Sequence, residues 1–93
     1  MNKYCVDKII NEMNSCQKNI NRWDKKIDAL IFARHETHPG SGDPIDMLEQ
    51  KIIKEENYMN GIRFSAHLLG LDLIRSDVTG MWFVPRDLYS TLN

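Results

Sequence analysis

No apolar run in this sequence approaches the roughly 20 residues that span a bilayer. The first residues, Met1 to Lys8, carry charge and helical pattern where a signal peptide would place its apolar segment. The expectation is a cytoplasmic protein with no membrane contact. Cysteine is scarce, and Cys5 and Cys16, eleven positions apart, would lie about 16 Å apart along one helix. That distance excludes a bridge between them without unwinding, so two free thiols in a reducing compartment are expected. Neither sign of charge prevails: 12 Lys and Arg face 13 Asp and Glu, scattered along the chain. Neither the basic footprint of a nucleic-acid binder nor the acidic surface of a DNA mimic shows at this level.

Catalytic and ligand-binding patterns are also missing. No Ser, Thr or Cys stands in a nucleophile-elbow context, and neither cysteine belongs to a catalytic motif. Gly40-Ser41-Gly42-Asp43 precedes a helix but lacks the lysine and the leading strand of a phosphate-cradling loop. Asp43 and Asp46 already occupy the positive end of that helix dipole. His35, His38 and Asp43 cluster at a loop and form a minor metal-site alternative, but only two imidazoles without a fixed helical face make a poor zinc set. His67 reads as a packing or surface residue. The expectation is a non-enzyme without cofactor.

What the sequence has in quantity is helical periodicity. Val6, Ile9, Met13, Cys16, Ile20, Trp23, Ile27 and Leu30 recur at alternating steps of three and four, which places them on one face of a long helix. Ile10 and Ile31 widen that face beyond the two-in-seven seam of a coiled-coil dimer. In a parallel homodimer Glu12, Asn19 and Lys26 would meet Gln17, Asp24 and Ile31, and none of these is an opposite-charge pair. An antiparallel partner within the chain is therefore expected.

Proline and glycine in the stretch from His35 to Pro44 mark a helix-to-helix loop. Asp43 followed by Pro44 is an N-cap and a first-turn proline. A second seam follows in Ile45, Leu48, Ile52, Glu55, Met59, Ile62, Ala66 and Leu69. Glu55 is the exception in it, expected to open to solvent or to pair with Lys25 or Arg22. Gly61 would admit a bulky neighbour such as Trp23. Phe64, Leu68 and Leu71 add a second apolar stripe that something must cover. Gly70 is the expected stop.

After Gly70, residues 71–75 and 81–84 are short apolar runs around a turn-rich segment, expected to form a β-hairpin over the outer face of the second helix. Pro85 ends it, leaving a helical turn or a tail. The fold class is thus mainly α: a long antiparallel αα-hairpin with a short C-terminal β-hairpin, in one domain. Its parts are a helix at about 3–35, a loop at 36–43, a helix at 44–70, strands within 71–84 and a tail at 85–93.

Met81, Trp82, Phe83 and Tyr89 are aromatic or soft apolar residues of the kind that anchor protein interfaces. With no catalytic groups in view, the expected function is a protein-binding module. Small adaptors and stoichiometric inhibitors of larger machines, such as phage and mobile elements encode, fit this description. The partner is an unidentified protein or a second copy in a homodimer. The alternative is a small nucleic-acid-binding regulator that uses Lys18, Arg22, Lys25 and Lys26, the one basic cluster on a helix face.

Overall fold

The computed structural model describes residues 2–33 and 44–92. Helix α1 spans Lys3–Ala33 and α2 spans Pro44–Leu68; strands β1 (Ile74–Arg75) and β2 (Trp82–Phe83) and a short α3 (Arg86–Ser90) follow. The expected helix end at His35 and the loop at 36–43, with the His35, His38 and Asp43 alternative and the Asp43 cap, lie outside the described residues.

Asn2 starts α1 by accepting a hydrogen bond from the Cys5 amide at 2.9 Å, an N-cap on the third helical residue. The seam then folds as its spacing requires. Val6, Met13, Ile20 and Ile27 of α1 are buried, as are Ile45, Ile52, Met59 and Ala66 of α2, each set at intervals of seven. In the second row of each seam Cys16 is buried, while Ile9, Trp23 and Leu30 with Leu48 and Ile62 are half-buried. Asn19 meets Glu55 and Glu12 meets Tyr58, so rising numbers on one helix face falling numbers on the other and the hairpin is antiparallel.

Glu55 takes neither Lys25 nor Arg22. Its carboxylate accepts from the Asn19 amide at 3.0 Å, because the antiparallel register sets Asn19 opposite the interruption. Gly61 does not receive Trp23 either: a Cβ built there would meet nothing within 4 Å, since the glycine faces outward. Helix α2 stops at Leu68, two residues before the expected end. Gly70, at φ +82°, closes it, with the Leu71 amide bonded to the Ala66 carbonyl and the Gly70 amide to the His67 carbonyl. This pair of bonds is a Schellman cap, and its left-handed position is one that glycine alone occupies without strain. Its apolar contact is supplied by Leu71, which is buried beside Ala66. Leu69, expected in the seam, is therefore thrown outward.

The C-terminal hairpin forms with shorter strands than the apolar runs imply. Ile74 pairs with Phe83 and Arg75 with Trp82; the turn closes through the Gly80 amide to the Ser76 carbonyl at 2.8 Å, with Gly80 at φ +71°. Its position also departs from expectation. The hairpin lies over the flank of α1 and leaves the outer face of α2 uncovered, because Asn14 of α1 bonds both backbone groups of Trp82: its Oδ1 accepts from the Trp82 amide at 2.7 Å and its Nδ2 donates to the Trp82 carbonyl at 3.2 Å. The side chain of Asn14 thus takes the place of a third strand along β2. Leu71, Leu73 and Val84 enter the core from this flank.

Candidate functional site

The two faces of the helical hairpin differ. One is capped by the C-terminal segment. Gln17, nearly fully buried, accepts from the Trp82 indole N–H at 3.1 Å and donates to Asn21 at 3.0 Å. The Arg63 guanidinium stands 4.8 Å from the centre of the Trp82 ring, a cation–π contact. Further along, the Tyr89 hydroxyl donates to Asp7 at 3.1 Å, and the Lys3 ammonium lies 5.4 Å from its ring centre. That hydrogen bond, above all, raises the Tyr89 pKa from its ordinary value.

The anchors expected from sequence are thereby divided. Trp82 and Tyr89 are half-buried and bonded into α1, Met81 is half-buried, and only Phe83, 41 % exposed, is turned outward. Strand alternation explains the division, since it sends Trp82 and Val84 inward and Phe83 to the opposite side.

The other face is open. Its half-buried row runs beneath Glu12, Asn19, Tyr58, Gly61 and Ser65, and the Tyr58 hydroxyl donates to Glu12 at 3.1 Å. The Glu12 hydrogen bond and then its charge raise the Tyr58 pKa. Cys16 is buried among these groups, and its thiol is pushed up to about 11, first by burial and then by the neighbouring Glu55 carboxylate. A thiol so held is a packing group and no nucleophile at neutral pH.

Toward the end of α2 this face becomes apolar. A groove of about 540 Å³ is lined by Ile9, Tyr58, Gly61, Ile62, Ser65 and Leu69. Leu69 lines it and Leu68 stands beside it, 67 % and 69 % exposed; Phe64, 64 % exposed, turns to the outer side of α2 and lines a separate recess with Arg63, His67 and Asp72. Three large side chains and a groove in one short stretch of helix make an exposed apolar patch of the kind that marks interaction sites. Its signal in the sequence is the second apolar stripe of Phe64 and Leu68, although the anchors expected from the sequence were the aromatic residues that follow it in the chain.

The fold also sorts charges that look scattered in sequence. Arg22 and Lys26 of α1 and Lys51 and Lys54 of α2, all exposed, fall by heptad position on the open face. Lys18 and Lys25 flank them on the outer side of α1. Asp24, Asp28, Asp46, Glu49 and Glu56, also exposed, fall on the opposite face, beyond the C-terminal segment.

Among the described residues no three His, Cys, Asp or Glu side chains come together as a metal site. His67 bonds Asp72, with Nδ1 at 2.7 Å from the carboxylate, on the surface. No described helix is long and apolar enough to cross a membrane. Compared with protein families, curated proteins and solved structures, the chain matches none.

Proposed function

We propose that the chain is a non-enzymatic protein-binding module whose contact surface is the apolar patch at the end of α2. The observation that carries this reading is the exposure of Leu68 and Leu69 at an apolar groove, with Phe64 exposed on the adjoining outer side of the helix. Three large side chains left in water forgo about 1.5 to 3 kcal/mol each that burial would supply, and a partner surface recovers part of it. An adaptor, or an inhibitor that occupies the surface of a larger protein, needs one such patch on a rigid support. The long hairpin provides the support. The Trp82 and Tyr89 side chains serve that rigidity by tying the C-terminal segment to α1, and Phe83 is a secondary contact on the other side.

The test is affinity capture from the source cell with wild-type and Leu68→Asp/Leu69→Asp baits. The variant should keep its helical circular dichroism, since both residues lie outside the core, and should lose a specific prey. An unchanged prey set would contradict the assignment of the patch.

The joining of Lys51 and Lys54 to Arg22 and Lys26 on one face favours a second reading, contact with a polyanion such as nucleic acid. It requires binding that weakens steeply with salt. A low-salt gel shift with random duplex DNA and with RNA that shows no complex would dispose of it.

A further inference from the structure

The patch on α2 contains projections and a recess side by side. Leu68 and Leu69 project, while Gly61 and Ser65, one turn apart, leave the adjoining groove open, with nothing within 4 Å of a Cβ placed at Gly61. We infer that the occupant of this patch is a second copy of the chain, packed α2 against α2 about a two-fold axis near Gly61 and Ser65; the inference rests on the protein-binding reading above. An isologous interface requires one surface to carry both the projecting and the receiving parts, and this one does.

Charge supports the same occupant. Between Asn57 and Leu69 the ionisable side chains are Tyr58, Arg63 and His67. Arg63 is engaged on the Trp82 ring and His67 with Asp72, both on the far flank, and Tyr58 is held protonated by Glu12. Two copies that meet along α2 therefore bury no formal charge of that helix, which would be costly; the Glu12 carboxylate, exposed and bonded to Tyr58, is the charge at the rim. Lys51, Lys54, Arg22 and Lys26 lie further toward the loop end of the same face. An axis at the Gly61 end lets the two basic stretches diverge into solvent, whereas full overlap of the rods would set them against each other.

The area agrees. The chain exposes 6874 Å² at a mass of 10.9 kDa, against roughly 5,600 Å² for a compact monomer of that mass. Its radius of gyration is 17.0 Å, where a compact domain of this length has about 12 Å. The excess, set by the rod shape of 56 × 24 × 15 Å, leaves room for the approximately 800 Å² that each partner buries in a stable interface of standard size.

Sedimentation equilibrium of the full chain tests the inference, over concentrations from about 1 to about 100 µM, the weak end of what interfaces of this size span. The wild-type mass should rise to twice 10.9 kDa. Leu68→Asp/Leu69→Asp should raise the dissociation constant more than about tenfold with helical content unchanged. Gly61→Gln should weaken association while raising the melting temperature of the monomer, because it fills the groove and improves helix propensity; a purely structural role for Gly61 would not separate the two. A wild-type monomer throughout would overturn the second copy as occupant, and loss of a captured prey in the aspartate variant would then still uphold the protein-binding reading. A dimer indifferent to both variants would overturn the patch as its interface.

Discussion

Cys5 and Cys16 recur on nearly the same helical face, yet their fates differ: Cys5 is exposed in the first turn and Cys16 is buried beside Glu55. Spacing gave the shared face; the position of α2, which decides burial, is tertiary. At pH 8 a thiol reagent should modify Cys5 rapidly and Cys16 only after unfolding, as read by mass spectrometry, and equal rates would contradict the packing. The sign of the pH effect follows from the raised Cys16 value. The unfolded thiol loses its proton near the ordinary 9.0 and the folded one near 11, so between those values the unfolded state binds fewer protons and stability falls as pH rises. Denaturant titrations of wild type and Cys16→Ala should therefore converge with rising pH through that window. Asn14 offers a second residue-scale test. Asn14→Ala removes two hydrogen bonds to the Trp82 backbone and should cost about 1 to 3 kcal/mol, with a change in Trp82 fluorescence. Nothing in the spacing of Asn14 distinguished it from any other polar helical residue, since its role depends on a strand 68 positions away.

At the scale of elements, both long helices and their seams were legible because a repeat of seven survives any choice of partner. Helix ends and strand lengths were less so. Leu69 continues the numerical pattern of α2, but the left-handed Gly70 cap turns the chain before that position can face the core. Gly70→Ala should destabilise the fold by about 1 to 2 kcal/mol, read as a lower thermal midpoint; the φ of +82° is the reason, since space for a methyl group is available. Glu55 illustrates the opposite case, a departure visible in sequence whose partner was not. Its bond to Asn19 spends one seam position on polarity. Glu55→Leu should raise the melting temperature by several degrees, because an apolar side chain in a half-buried seam position gains on the order of 1 kcal/mol; a lowered midpoint would show that the Asn19 pair stabilises the register.

The whole molecule shows what no single element does. The C-terminal segment covers one face of the helical hairpin, and the charges exposed in its loop half divide into a basic and an acidic side. From sequence the β-hairpin was expected over Phe64 and Leu68, and Trp82 was expected among the interface anchors. Instead the bonds from Asn14 and Gln17 draw Trp82 onto α1, which leaves the end of α2 open and makes that end the candidate surface. Site-specific cross-linking tests this exchange of faces most directly. In a Cys5→Ser background, a cysteine introduced at Ser65 should form a disulfide-linked dimer under mild oxidation, while one introduced at Phe83 should leave the chain monomeric. Cross-linking from Phe83 with none from Ser65 would contradict the account and return the contact surface to the C-terminal aromatic segment.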